Sequence, residues 1–378
     1  MKILLAPDSF KDCLSAKEVA LELAGGIHRV RPGDECLIIP VADGGEGTVE
    51  AVVEASGGRM LELPVLDPLL REISATYGIS GDGRTAVIEM AAASGLPLLR
   101  SDERNPWHTS SFGTGQLIRH ALDQGCEQIL LGIGGSATND GGAGMAAALG
   151  ARFETEEGKL PVPAGGMLGR LRKISMDELH PRIGEVEIRV ACDVNNPLTG
   201  PQGASRIYAE QKGADREMIA ALDHNLHHFA TLIHQQLGKQ VDQVPGAGAA
   251  GGMGAGLLAF LDARLEKGFP LIASVIGLED KMIRADWVIT GEGRLDGQTR
   301  FGKTPWGVAR LARVHQKPVI AVCGTLEESA ADLYREGFDL LFSIQEKPMD
   351  LDAAIAQVRP MLRRMGERIG HMFDLFLK

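Results

Sequence analysis

The chain has 378 residues, 44% of them apolar and 24% charged, with 48 glycines. At about 100 to 200 residues per domain this length favours two domains, and the composition excludes disorder and a collagen-like repeat. Lys and Arg total 39 against 50 Asp and Glu, a net charge of −11, which opposes nonspecific attraction to nucleic acid or an anionic membrane. A phosphate ligand must therefore meet local donors or a metal.

In chain order, an apolar strand is predicted at Ile3 to Ala6, followed by a capping box of Ser15 and Glu18 and a helix with Val19, Leu23, Ile27 and Val30 at helical spacing. Pro32 and Gly33 stop it. A second strand, Leu37 to Val41, runs into Asp43-Gly44-Gly45-Glu46-Gly47-Thr48 and a short helix ended by Gly57 and Gly58. The middle, about 75 to 283, has its own apolar runs at Ala86 to Met90, Gln128 to Ile133 and Val186 to Ala191. The last hundred residues resume the alternation: strand Trp287 to Thr290, helix from Pro305, strand Pro318 to Cys323, helix Glu327 to Glu336, strand Leu340 to Ile344. A closing helix carries Met361, Met365, Ile369, Met372 and Phe376 on one face, a pattern of core docking. Both chain ends together supply strands and helices for one doubly wound parallel sheet, with the middle as an inserted domain.

Cys13, Cys36, Cys126, Cys192 and Cys323 are odd in number, widely spaced and form no CxxC pair, which fits a reducing cytoplasm. The short apolar stretch after Lys2 reaches Pro7 and Asp8 too soon for a signal-peptide core. The uncharged segment Val244 to Leu261 holds too many glycines for a spanning helix and reads as a glycine-rich loop entering a helix.

Four segments combine strand ends, glycines and polar groups. Gly132 to Gly150 (GIGGSATNDGGAGMAAALG) offers backbone N–H groups and the neutral donors Ser136, Thr138 and Asn139 before an alanine-rich helix. It reads as an anion-binding turn or simply as a tight strand-to-helix connection, in which Asp140 caps the helix or faces magnesium. In Asp43 to Thr48 two carboxylates flank glycines, as magnesium between protein and phosphate would need, or as caps of the next helix. Gly297 to Thr304 matches the phosphate-loop pattern GxxxxGK[ST]. Its strand, however, is expected to end near Thr290, and Thr304-Pro305 reads as N-cap and first helical residue, so a standard phosphate-loop fold is not expected. Asp193 and Asn195 follow an apolar strand, where an Asp deprotonates a hydroxyl, holds magnesium, or forms an Asx turn into Pro197. The fingerprint-like GAGAAG at Gly246 to Gly251 is weak, because only short Val241 to Val244 precedes it. His224, His227, His228 and His234 fall on the polar side of a helix rather than in a metal patch.

Ala6 to Lys11 (APDSFK), VADGGEGT from Val41, GIGGSATNDGGAG from Gly132, CDVNNPLTGPQGA from Cys192 and TGEGRLDGQTRFGKTP from Thr290 occur in this order over nearly the whole chain. Together they resemble the bacterial glycerate kinase family, which phosphorylates D-glycerate with ATP. The resemblance implies two α/β domains. One is a flavodoxin-like domain from both chain ends, 1–74 and 284–378; the other is inserted, 75–283, with the active cleft between them. It further implies ATP and Mg2+ and, for this branch, 2-phosphoglycerate as product. Making 3-phosphoglycerate is the alternative, and an NAD-dependent hydroxyacid oxidoreductase or a non-catalytic glycerate sensor are readings from other classes. The small-molecule substrate is the expected partner, with neither nucleic acid nor membrane.

Chemistry distributes the roles of direct in-line transfer. Asp193 is the first choice for orienting or deprotonating the hydroxyl, with Asp296 as competitor. Asp43 and Glu292 are expected on the magnesium side. Ser9, Gly44, Gly45, Gly134, Gly135, Ser136, Thr138, Asn139, Asn195 and Gly291 are expected to contact substrate or phosphate. Lys11 and Lys303 would neutralise the transferring group or the glycerate carboxylate.

Overall fold

The computed structural model describes residues 1–11, 13–297, 299 and 303–376, the side chain of residue 376 excepted. The chain opens with β1 (Lys2–Leu5), α1 (Ala16–Val30), β2 (Glu35–Ile38) and α2 (Thr48–Ser56). Then follow β3 (Arg59–Leu66), β4 (Glu72–Ile79), β5 (Thr85–Glu89), α3 (Ala91–Ser94), α4 (Phe112–Asp123), β6 (Gln128–Gly132) and α5 (Ala143–Ala148). The next stretch holds β7 (Arg152–Thr155), β8 (Gly158–Leu160), β9 (Leu171–Ser175), β10 (Glu187–Ala191), α6 (Ala204–Tyr208), α7 (Arg216–Leu237), α8 (Ala249–Leu261) and β11 (Arg264–Glu266). Last come α9 (Gly268–Val275), α10 (Leu278–Ile283), β12 (Trp287–Leu295), α11 (Thr304–Val314), β13 (Val319–Leu326), α12 (Leu333–Glu336), β14 (Leu340–Ser343) and α13 (Leu351–Phe376).

The chain divides into two compact units. The first holds residues 1–43, 50–55 and the chain from Phe269 on; the second holds 44–49 and 56–268. In the first, among the described residues, a five-stranded sheet runs β14-β13-β12-β1-β2 with every pairing parallel. Counted along the chain this is strand order 2-1-3-4-5, the flavodoxin-like arrangement. Ile3, Leu5, Ile289, Ile320 and Val322 face a core completed by α1 and α13. Ser15 Oγ accepts from Glu18 N (3.3 Å) and Glu18 Oε2 from Ser15 N (2.9 Å), the capping box that starts α1. The two helices approach closely because a Cβ at Gly26 would overlap the Arg363 carbonyl, and one at Gly366 the Leu23 carbonyl. Met361, Met365 and Ile369 are buried there, so the apolar face of α13 is core.

In the second unit a six-stranded sheet runs β11-β10-β6-β5-β4-β3, parallel from β5 to β11 and antiparallel at β3-β4-β5, beside a three-stranded antiparallel sheet β8-β7-β9. Its core gathers Ile88, Leu131, Met145, Phe153, Phe229 and Phe260. The unit limits differ from 74/75 and 283/284 for identifiable reasons. The β3–β4 hairpin pairs with β5 through Gly78↔Val87 and Ile79↔Ala86, which carries residues 59–74 into the second sheet. At the other limit, Phe269 of α9 packs on Gly307 of α11. Among the described residues, no helix is long and apolar enough to cross a membrane.

Candidate active site

In a 2-1-3-4-5 sheet the chain leaves neighbouring strands β1 and β12 toward opposite sides, and a crevice opens at their carboxyl ends. β1 extends its pairing past its end, with Asp8 N donating to Gly291 O (2.8 Å). Asp8 stands at that edge, and its own Oδ1 accepts from Ser9 N (2.7 Å). Burial pushes the Asp8 carboxyl up from 3.8 to about 7; the Thr304 hydroxyl and Ser9 N–H draw it down, while Asp43 and Glu292 push it further up. Glu292 is raised too, chiefly by burial, against Lys303 and Thr299. Its Oε1 accepts from Thr299 Oγ1 (2.9 Å) and its Oε2 lies 3.3 Å from Lys303 Nζ. Thr299 also ties in Asp296, whose N donates to Thr299 Oγ1 (3.3 Å). The structure thus brings Asp8, Asp43, Glu292, Lys303 and Thr304 into one electrostatic cluster, with Asp296 linked through Thr299. A carboxyl whose ionisation is hindered by two neighbouring carboxylates, as Asp8 is by Asp43 and Glu292, suits a hard divalent cation. Among the described residues no group of three or more His, Cys, Asp or Glu is arranged as a metal cage, so protein carboxylates would supply only part of a coordination shell. Lys11 is exposed on the loop beyond Ser9. Gly291 is buried, and a Cβ there would overlap Val322 O, so its place is set by strand packing.

The phosphate-loop match needs a correction. β12 continues to Leu295, two residues before Gly297, so the strand does not end near Thr290. Lys303 is the N-cap of α11 and Thr304 its first residue, one position earlier than expected from Thr304-Pro305. Residues 298 and 300–302 of the match lie outside the described residues.

The second candidate is the glycine-rich turn after β6. Gly134 and Gly135 are exposed while Ser136 to Asp140 are buried. Ala137 N donates to Ser94 O (2.9 Å) and Gly141 N to Gly251 O (3.1 Å). Among the described residues the amides of Gly134, Gly135 and Ser136 donate to no protein group. Among the described residues Thr138 Oγ1 and Asn139 Oδ1 are buried without a hydrogen-bond partner, although Asn139 Nδ2 donates to Ser205 Oγ (2.9 Å). The helix that follows offers no free N-terminus to an anion. α5 has only six residues, and Asp140 already accepts from Gly142 N and Gly144 N (both 3.2 Å) and from Ser111 N and Oγ (both 2.8 Å). Burial raises the Asp140 carboxyl against these bonds. Asp140 therefore organises the turn from within.

Sequence reasoning missed Lys212, which is 2% exposed beneath this turn. Its Nζ donates to Ser136 Oγ (2.8 Å) and Thr138 O (2.7 Å). Burial lowers it from 10.5 to about 7, opposed by Asp140. Nothing in its segment, a single turn Glu210–Lys212, carries a motif that would single it out.

Gly44 to Thr48 runs over the ends of β6 and β10. Gly44 is buried at φ +94°, a Cβ there would overlap Ala191 Cβ, and Gly132 is closed against the Gly44 carbonyl. Gly45 lies beside Gly134, whose added Cβ would stand 3.7 Å from it. Gly44 N bonds Thr48 Oγ1 (3.1 Å), Val49 N is taken by Glu89 Oε1 (2.9 Å), and Glu46 is exposed. Asp193 and Asn195 are exposed just past β10. Asp193 Oδ1 accepts from Gly268 N at the start of α9 (3.1 Å), and its carbonyl from Lys267 Nζ (2.9 Å). Asn196 is tied instead to Gln202 O and to Tyr208 OH (both 2.8 Å).

No strand precedes GAGAAG; 242–248 are turns. Gly248 and Gly251 would overlap the Pro197 and Thr138 carbonyls if they carried a Cβ, and Gly252 would stand 2.8 Å from Gly141 Cα. These glycines let α8 lie on the backbone of the glycine-rich turn. On α7, His228 Nε2 bonds the Leu171 carbonyl (2.8 Å) and His227 Nδ1 is 3.7 Å from Asp242.

Unpartnered amides in the glycine-rich turn of one unit and, separately, carboxylates with a lysine at the switch point of the other are each the kind of feature that small-molecule kinases carry, and the α/β chain falls in that class. The model of the glycerate kinase family matches residues 3–374, and the chain belongs to this family. It is 49% identical over 367 residues to a glycerate kinase of Halalkalibacterium halodurans, covering 97% of each chain. It is also 49% identical over 354 residues to the glycerate 2-kinase of Escherichia coli, covering 94% of this chain and 93% of the relative. A solved glycerate kinase 2 from Salmonella typhimurium superposes with a TM-score of 0.91 at 46% identity, covering 100% of this chain and 99% of that one.

Proposed function

We propose that the protein transfers the γ-phosphoryl group of ATP to the 2-hydroxyl of D-glycerate, giving 2-phospho-D-glycerate and ADP. The observation that carries the phosphate part is the run of unbonded amides at Gly134, Gly135 and Ser136. The similarity to a glycerate 2-kinase supports the choice of hydroxyl. In the transfer the hydroxyl oxygen bonds to the γ-phosphorus as the bond to the β,γ-bridging oxygen breaks, and the hydroxyl proton passes to a carboxylate. Asp193 is assigned that proton, with Asp296 as the competing carboxylate. The turn from Gly134 to Asn139 cradles phosphates, with Gly45 beside it. Ser9 and Asn195 belong to the substrate contacts, while Gly44 and Gly291 shape the backbone around them. Lys11 and Lys303 balance the charge of the transferring group or of the glycerate carboxylate.

The carboxylates at the switch point fit Mg2+, which commonly takes one or two protein carboxylates and completes its shell with phosphate and water. Asp43 and Glu292 would hold it, joined by Asp8, whose raised carboxyl marks the negative potential a cation relieves. Bound there, the ion would neutralise phosphate charge. The wide spacing of five cysteines supports a reducing, cytoplasmic setting.

Phosphorus NMR of the protein with D-glycerate, ATP and Mg2+, an L-glycerate control and both phosphoglycerate standards tests the proposal. A 2-phosphate product is expected. A 3-phosphate product would overturn the choice of hydroxyl, and no ATP-dependent product from folded protein would overturn the kinase.

A further inference from the structure

The glycine-rich turn has an electrostatic deficit. Within Gly134 to Asp140 the one ionisable side chain is Asp140, an acid buried at the end of the turn where it accepts from Ser111, Gly142 and Gly144. Open amides supply only partial positive charge, and a buried carboxylate works against them. The compensating charge is Lys212. The turn Glu210–Lys212 ends at Gly213, held at φ +97° where a Cβ would overlap the Arg104 carbonyl, so the base of the lysine is pinned. Its tip is fixed by Ser136 Oγ and Thr138 O. Ser136 carries one of the open amides and Thr138 stands two residues on, so the ammonium is held against the same turn as the proposed phosphate seat.

We propose that Lys212 is a positioning residue for the nucleotide phosphates, holding the turn through Ser136 and Thr138 and supplying from beneath the positive charge that the turn itself lacks. This rests on the reading of the turn as a phosphate cradle. Asp140 is the titratable side chain whose charge Lys212 feels, and Arg104 is the charged residue of the neighbouring segment. With burial holding Lys212 at about 7, much of it is neutral at pH 8 in the empty protein. Phosphates above it favour the ammonium form, so nucleotide binding draws a proton onto the protein.

Calorimetry of Mg-ATP binding at pH 8, without glycerate, in buffers of different ionisation enthalpy reads that proton directly. Wild-type protein is expected to take up protons. Lys212→Arg, which is permanently charged, is expected to bind nucleotide without uptake. Lys212→Met is expected to lose uptake and to raise KM for ATP about ten- to a hundred-fold while KM for glycerate stays within about twofold. Gly134→Ala tests the cradle on its own, since the exposed Gly134 has room within the protein for a methyl that would stand where phosphate approaches. An unchanged KM for ATP in Gly134→Ala would remove the cradle. A raised KM in Gly134→Ala together with no proton uptake by the wild type, or uptake that persists in Lys212→Arg, would remove the role of Lys212 and leave the cradle standing. If Lys212→Met does not fold, the wild-type and Lys212→Arg titrations decide the matter.

Discussion

Replacing Asp8 by Asn should stabilise the ligand-free protein at neutral and alkaline pH while impairing catalysis. The Asp8 carboxyl is raised from 3.8 to about 7 in the folded chain, mainly by burial and then by Asp43 and Glu292 against the pull of Thr304 and Ser9. Below pH 3.8 it is neutral in folded and unfolded chains alike and carries no penalty. Between 3.8 and about 7 only the unfolded chain ionises, so the folded state loses stability as pH rises, and above about 7 the loss is complete. At ~1.4 kcal/mol per decade the full gap amounts to ~4 kcal/mol. Asp8 is partly exposed, and solvent relaxation reduces the effect to about 1–2 kcal/mol. Asn stays neutral throughout and keeps an oxygen for Ser9 N–H. Urea unfolding of both proteins at pH 5 and pH 8, without nucleotide or Mg2+, should show the stability of Asp8→Asn relative to wild type rising by about two thirds of that amount, because the part lost between 3.8 and 5 is already gone at the lower pH. A difference that does not change with pH, or one that grows at pH 5, would refute the account of Asp8.

Asp193→Asn should lower kcat at least about a hundred-fold with little change in either KM, because the amide keeps the bond to Gly268 N but takes no proton. Near-normal turnover would move the base assignment to Asp296. Gly44→Ala combines a φ of +94° with overlap on Ala191 Cβ, so its denaturation midpoint should fall by the equivalent of about 2 kcal/mol or more, with loss of activity. An unchanged midpoint would mean that Gly44 has space and that its loop is held elsewhere.

What was legible in the sequence follows from what each signal depends on. The doubly wound parallel sheet could be anticipated because its strands are continuous apolar runs such as Ile3 to Leu5 and Val319 to Cys323, while its flavodoxin-like arrangement was implied only by the family resemblance. β12 was read short because Gly291 and Gly293 look like a turn. Here Gly291 pairs with Val322 inside the sheet, its missing Cβ making room for the Val322 carbonyl. The unit limit near residue 74 was misplaced for a related reason: the β3–β4 hairpin reads locally as a pair of strands, and only its pairing with β5 tells which sheet owns it. Asp43, Glu292, Lys303 and the glycine-rich turn could be named as candidates because polar and glycine-rich patterns next to apolar runs are local signals. Asp8 was visible at its strand end, but its raised carboxyl is the joint effect of burial and of residues 43 and 292, neither of which is near it in the chain. Lys212 lies further from reach still. A lysine between Gln211 and Gly213 looks like any solvated lysine, and its burial depends on Ser136 and Thr138, more than seventy residues earlier. The groups that sequence exposes are thus those whose chemistry is set by neighbours in the chain. Those it conceals are the buried or half-buried ionisable groups, whose proton affinity belongs to the folded environment: Asp8 in the first unit, Asp140 and Lys212 in the second.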